Sequence, residues 1–113
     1  MFQYAAQILK IKDADSFSAD IDLGFSVHVH ADLRLDGLDA PEIKTVAGKD
    51  VKAWVQSEVA RHGGNCIVTT RKDKTEKYGR MLAVVHFVGE SVSLNQALLD
   101  SGRAKAYSGG KRT

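Results

Sequence analysis

The chain has little cysteine, little proline, little net charge and no long apolar run. Cys66 is the only cysteine among 113 residues, which excludes an intrachain disulfide and a metal site built from several thiolates. The formal net charge is only +2, so bulk charge alone does not indicate a polyanionic partner. No apolar run approaches the length needed to cross a bilayer. The first apolar stretch is interrupted by the polar residues Gln3, Gln7 and Lys10, whereas the apolar segment of a signal peptide is continuous. We therefore expect no membrane partner and a cytoplasmic protein, with secretion as the alternative if the chain is a processed form.

The length predicts one domain with a modest core. We expect that domain to span residues 1–107, followed by a flexible basic tail over residues 108–113.

The chain's only proline, Pro41, marks the stretch with the most chemistry. Pro41 fixes its own φ and pushes Ala40 toward an extended conformation, so the preceding strand must end here in a defined turn. The turn projects the carboxylates of Asp39 and Glu42, with the carbonyl of Ala40 between them. Hard cations such as Ca²⁺ take carboxylate and carbonyl oxygens of this kind. Arg34 lies upstream on the non-core side of the strand, where its guanidinium can bind a phosphate with two hydrogen bonds. A cation, a spare carboxylate and a guanidinium together suggest phosphodiester chemistry.

Hydrophobic periodicity gives the order of the elements. Alternation predicts three strands, and the third has its apolar face from Phe25 to Leu35. Val51, Val55 and Val59 recur every four residues and predict a helix over residues 47–62, with Trp54 in the core. Two more strands follow, of which Met81 to Val88 is apolar enough to be buried on both faces. Ser93 opens a capping-box helix. We therefore expect a mainly β (α+β) fold: a five-stranded OB-fold β-barrel with one helix between strands 3 and 4 and another after strand 5.

Several residues have ordinary structural interpretations. His28 and His30 share a strand face but lack an evident third ligand, so a solvated face is favoured over a metal pair. Cys66 is expected to be a buried small hydrophobe. Asp15, taken alone, would be interpreted as a turn carboxylate. Arg34, taken alone, would be interpreted as a surface arginine. Their joint occurrence favours a functional site.

Four motifs together resemble the staphylococcal nuclease (thermonuclease-like) family, over nearly the whole chain from Ile8 to Tyr107. They are Asp13-Ala14-Asp15-Ser16, the stretch from Arg34 to Asp39-Ala40-Pro41-Glu42, Lys77-Tyr78-Gly79-Arg80, and Asn95-Gln96-Ala97-Leu98 with Gly102-Arg103-Ala104. The resemblance implies a Ca²⁺-dependent nuclease that hydrolyses phosphodiester bonds of DNA, RNA or both, with a preference for single strands.

Roles for individual residues also follow from the resemblance. It implies that Asp15, Asp39 and the Ala40 carbonyl ligate Ca²⁺, that Glu42 acts on the attacking water, and that Arg34 and Arg80 neutralise the phosphate. Three residues, Lys77, Tyr78 and Tyr107, would contact the substrate.

Two departures bear on this expectation. Ala14 replaces the family's usual glycine, and alanine tolerates a positive φ poorly, so we expect an altered turn at Asp15. The loop from Ile43 to Gly48 is shorter than the matching loop in the secreted prototype of the staphylococcal nuclease family. The alternative is an inactive module with the same fold that binds nucleic acid or protein. An interaction domain without nucleic acid has only the low net charge in its favour.

Overall fold

The computed structural model of the protein describes residues 2–72 and 81–107. In chain order the elements are β1 (Phe2–Asp13), β2 (Ser16–Asp22), β3 (His28–Leu35), β4 (Leu38–Asp39), α1 (Val46–Arg61), β5 (Asn65–Lys72), β6 (Met81–Phe87), α2 (Leu94–Asp100) and β7 (Lys105–Ala106). Five strands close a barrel in the order β1-β2-β3-β6-β5, while β4 and β7 form a separate two-stranded ribbon. The predicted fold class, with its two helices, is confirmed. None of the helices in the described ranges is long and apolar enough to cross a membrane.

Alternation places the core inside the barrel. The inward side chains of β2, Phe17, Ala19 and Ile21, are buried, and so are Leu33 and Leu35 of β3. Each helix packs one apolar stripe against the core: Val51 and Val55 from α1, and Leu94 and Leu98 from α2. Trp54 and Val59 are partly buried and pack against this core.

A buried asparagine joins α2 to the end of β3. The Asn95 side chain accepts a 2.9 Å hydrogen bond from the amide of Val85, and donates to the carbonyls of Ala83 at 3.0 Å and Asp36 at 2.9 Å. Such a fully satisfied buried amide stabilises one arrangement of the backbone. It therefore fixes the chain just before the proline corner.

Two burial predictions are wrong. The third strand begins at His28, and Phe25, expected in its core face, is 101% exposed. Val27 and Val29 are exposed as well. Val27 precedes β3, and in the described residues β6 pairs with β3 from Leu33 to Leu35, so Val29 lies outside that pairing. β6 is buried on one face only: Ala83, Val85 and Phe87 are buried and the alternate residues are half-buried.

The helix ends are close to those predicted. Thr45 caps α1, and the chain leaves the helix through Gly63 and Gly64 at φ values of 64° and 78°. Ser93 caps α2 by accepting from the Gln96 amide at 3.0 Å. The β4–β7 ribbon was not predicted, because both strands have only two residues.

Candidate active site

The β1–β2 turn carries Asp15 into the barrel end beside the proline corner. Ala14 is 1% exposed, so its methyl group packs in the core. Phe25 and Ser26 are the non-glycine residues with positive φ in residues 2–72 and 81–107, so Ala14 needs no left-handed conformation. Alanine is therefore accommodated at this position without a left-handed backbone. The altered turn expected at Asp15 stays a prediction.

Asp15 joins its turn to the proline corner. Its Oδ2 accepts a 3.2 Å hydrogen bond from the amide of Ala40, and its carbonyl accepts a 2.8 Å bond from the amide of Leu35. The residue is buried, at 8% exposure. Two segments 25 residues apart in sequence thus meet through one carboxylate.

Arg34 lies between two carboxylates. Its Nη2 is 3.4 Å from Asp39 Oδ1 and 3.8 Å from Asp15 Oδ2. The side chains of Arg34, Asp15 and Asp39 are 13%, 11% and 30% exposed, so water screens these interactions only in part. The guanidinium therefore holds two acidic groups together that would otherwise repel each other.

A cavity of about 280 Å³ opens onto this cluster. Its lining includes all the predicted residues of the proline corner and two charged residues to which the sequence analysis gave no role, Asp13 and Lys44. Asp13 ends β1 and pairs with Ser16 across the turn, which brings a second carboxylate of the Asp13–Ser16 motif to the site. The spacing of the Asp13–Ser16 motif could have indicated Asp13, because residues that flank a two-residue turn lie side by side.

Glu42 lines the same cavity and is exposed. Its backbone is held by the start of α1: the Thr45 hydroxyl donates to the Glu42 carbonyl at 2.7 Å and accepts from the Gly48 amide at 2.9 Å. A Cβ at Gly48 would overlap the Glu42 carbonyl oxygen. The N-cap and the glycine therefore set the position of Glu42, and only the threonine before a helical pattern signals this in the sequence.

Tyr107 reaches the cluster from the C-terminal end of the described chain. The β4–β7 pairs, Leu38 with Ala106 and Asp39 with Lys105, bring it there, and its amide donates to Gly37 at 2.9 Å. Its ring lies 5.8 Å from the Arg34 guanidinium carbon, within the range of a cation–π contact. The other predicted substrate contacts, Lys77 and Tyr78, lie outside the described residues. So do Arg80, predicted to neutralise the phosphate, and the predicted basic tail over residues 108–113.

A family model for staphylococcal nuclease homologues matches residues 32–113, well over half of the chain. The chain belongs to this family. The family resemblance seen in the motifs is confirmed. The matched range includes Arg34, Asp39 and Glu42, and Asp15 precedes it. A search of curated proteins gave no match. Members of this family are usually nucleases, so membership indicates a nucleic acid as the class of substrate.

The donor set at the cavity suits a hard divalent cation. Asp13, Asp15, Asp39 and the Ala40 carbonyl offer oxygen atoms only, and Ca²⁺ accepts six to eight of these in flexible geometry. Within the described ranges, no three His, Cys, Asp or Glu side chains are already gathered for a metal. In this arrangement the positive charge between the carboxylates is that of Arg34.

Proposed function

We propose that the protein is a Ca²⁺-dependent nuclease that hydrolyses phosphodiester bonds of DNA or RNA, with single strands preferred. The observation that carries this proposal is the meeting of Asp15, Arg34 and Asp39, with distances of 3.4 and 3.8 Å, at a cavity of about 280 Å³. Membership of the staphylococcal nuclease family supports the reaction class.

Asp15, Asp39 and the carbonyl of Ala40 would hold the cation, with Asp13 adding a carboxylate to the same cavity. When bound, Ca²⁺ supplies electrostatic stabilisation of the charge that develops on the phosphoryl oxygens. The hydrogen bond from the Ala40 amide to Asp15 keeps these donors in one place before any ion arrives. Such preorganisation lowers the cost of ordering the site.

Arg34 donates to the phosphate. Its planar guanidinium offers two parallel N–H donors, which match two oxygens of a phosphodiester. The contact with the Tyr107 ring limits the orientation of the guanidinium. The family resemblance adds Arg80 as the second such donor, with Lys77, Tyr78 and Tyr107 as substrate contacts.

Glu42 accepts the proton of the attacking water. It is exposed at the cavity, so water reaches it, and its backbone is anchored to α1 through Thr45. A positioned carboxylate of this kind contributes about a hundred- to ten-thousandfold in rate. The attack forms the new P–O bond as the bond to the leaving oxygen breaks.

An experiment on Asp39 tests the proposal. Asp39→Ala should lose cleavage of single-stranded DNA and also lose Ca²⁺ binding measured by calorimetry. Asp50→Asn, an exposed carboxylate change on α1, is the matched control and should keep both. Intact DNA binding with no cleavage by the parent protein would favour the inactive binding module instead.

A further inference from the structure

A second group of potential ligands lies on the outer face of the β2–β3 hairpin. The strand register pairs Asp20 with His30 and Asp22 with His28. Asp20 Oδ2 is 3.1 Å from His28 Nδ1, and Asp20 Oδ1 is 3.8 Å from His30 Nε2. The histidine pair therefore has the carboxylate that the sequence analysis did not find for it.

Asp20 carries an unsatisfied buried atom. In residues 2–72 and 81–107, its Oδ1 is the buried side-chain oxygen or nitrogen without a hydrogen-bond partner. A buried carboxylate oxygen without a donor is costly. The atom faces the ring of His30, so a ligand that binds both would remove this cost.

The separations suit two ligands of one metal ion. Ligand atoms about 2.0 Å from a tetrahedral zinc lie about 3.3 Å from each other. The His28 nitrogen lies 3.1 Å from Asp20 Oδ2 and the His30 nitrogen lies 3.8 Å from Asp20 Oδ1, so each histidine is near this value from its own carboxylate oxygen. The three side chains are not yet gathered round one point in the described structure. The His30 side chain is 76% exposed, however, so it can rotate toward Asp20 at little cost.

We propose that His28, His30 and Asp20 form a site for a divalent transition-metal ion of the zinc class, distinct from the nuclease cavity. Two imidazoles and one carboxylate are a common ligand set for zinc, which leaves a further position for water. His30 precedes Arg34 by four residues on β3, a separation of about 13 Å along an extended strand. The bound ion would link β2 to β3 on the outer face of the hairpin, at a level where Asp20 also pairs with Gln7 of β1.

A zinc titration of the full chain tests this site. Calorimetry with Zn²⁺ should give a site that persists in Asp39→Ala, and NMR should show the imidazole signals of His28 and His30 shifting with zinc. Loss of a second-shell partner alone typically weakens metal binding ten- to a hundredfold. We therefore expect His28→Ala, His30→Ala and Asp20→Asn each to weaken zinc binding at least about tenfold.

Two controls separate the site from other histidines and from the nuclease activity. His86→Gln changes a histidine that contacts the Glu90 carbonyl at 2.6 Å and should leave zinc affinity unchanged. His28→Ala and His30→Ala should keep Ca²⁺-dependent cleavage at the parent rate. Zinc should raise the melting temperature of the parent, but not that of His30→Ala. Zinc affinity in any of the three ligand variants equal to that of the parent, or no zinc binding by the parent, would overturn the proposal.

Discussion

The Thr45 hydroxyl donates a 2.7 Å hydrogen bond to the main-chain carbonyl of Glu42. The same oxygen accepts from the Gly48 amide at 2.9 Å, so one side chain caps α1 and anchors the corner that carries Glu42. A residue that caps a helix therefore also positions the proposed general base.

Thr45→Val should remove both hydrogen bonds while keeping the side-chain shape. Loss of an N-cap costs about 1 kcal/mol of unfolding free energy, which urea denaturation measures. We also expect slower cleavage of single-stranded DNA, because the Glu42 carbonyl loses the hydroxyl bond, although it keeps the 3.0 Å bond from the Thr45 amide. Thr45→Ser keeps the hydroxyl and should retain both properties. Equal stability of Thr45→Val and the parent would show that the cap contributes nothing.

Gly48→Ala should destabilise the protein, although alanine ordinarily favours a helix over glycine by about 0.5–1 kcal/mol. The added methyl group would overlap the Glu42 carbonyl, and overpacking of this kind typically costs about 1–3 kcal/mol. Urea unfolding measures the sign directly. Gln56→Ala, at an exposed position of the same helix, should change stability by less than about 0.5 kcal/mol. A Gly48→Ala protein more stable than the parent would contradict the close contact.

Arg34→Lys should keep the positive charge but lose the planar pair of donors. Removal of one donor to a transition state commonly costs about a hundred- to a thousandfold in rate. Ca²⁺ affinity should not fall, because the carboxylates of Asp15 and Asp39 remain. Arg61→Lys, in a surface ion pair with Glu58, is the matched control and should cleave normally. The family resemblance gives the same expectation for Arg80→Lys. Near-parental turnover in Arg34→Lys would exclude Arg34 as a phosphate clamp.

The local parts of the fold could be predicted from the sequence, because alternation, helical spacing and caps are properties of neighbouring residues. Alternation does not say where a strand of the barrel begins, so it predicts a core face for Phe25 and Val27, which precede β3 and are exposed. The β4–β7 ribbon depends on Asp39 meeting Lys105 across the fold. Two residues per strand give no periodic signal.

The candidate site shows the same division. The motifs named Asp15, Arg34 and Asp39, and the structure brings these three together. The contribution of Asp13 depends on the geometry of the β1–β2 turn, and the pairing of Asp20 with His30 depends on strand register. Neither relationship can be read from one strand alone.

The stability of the protein should fall as the pH rises above about 9, and Cys66 should cause part of this loss. Burial raises the pKa of the Cys66 thiol from 9.0 to about 11. The thiol in the unfolded chain ionises first, so the unfolded state is favoured as the pH passes from 9 toward 11. The expected loss is about 2 kcal/mol by pH 11. Urea unfolding at several pH values should show a steeper decline for the parent than for Cys66→Ala. Parallel declines would contradict this cause.

Cleavage of single-stranded DNA by the parent and by Glu42→Gln, in Ca²⁺ and in excess chelator, tests the account most directly. Glutamine keeps the shape of Glu42 and removes its basicity, while Arg34 and the proposed Ca²⁺ ligands remain. The parent should cleave in Ca²⁺ and stop in chelator, and Glu42→Gln should bind DNA and Ca²⁺ normally but cleave at least about a hundredfold more slowly. Full cleavage by the parent in chelator, or equal rates for the parent and Glu42→Gln, would contradict the proposed nuclease mechanism.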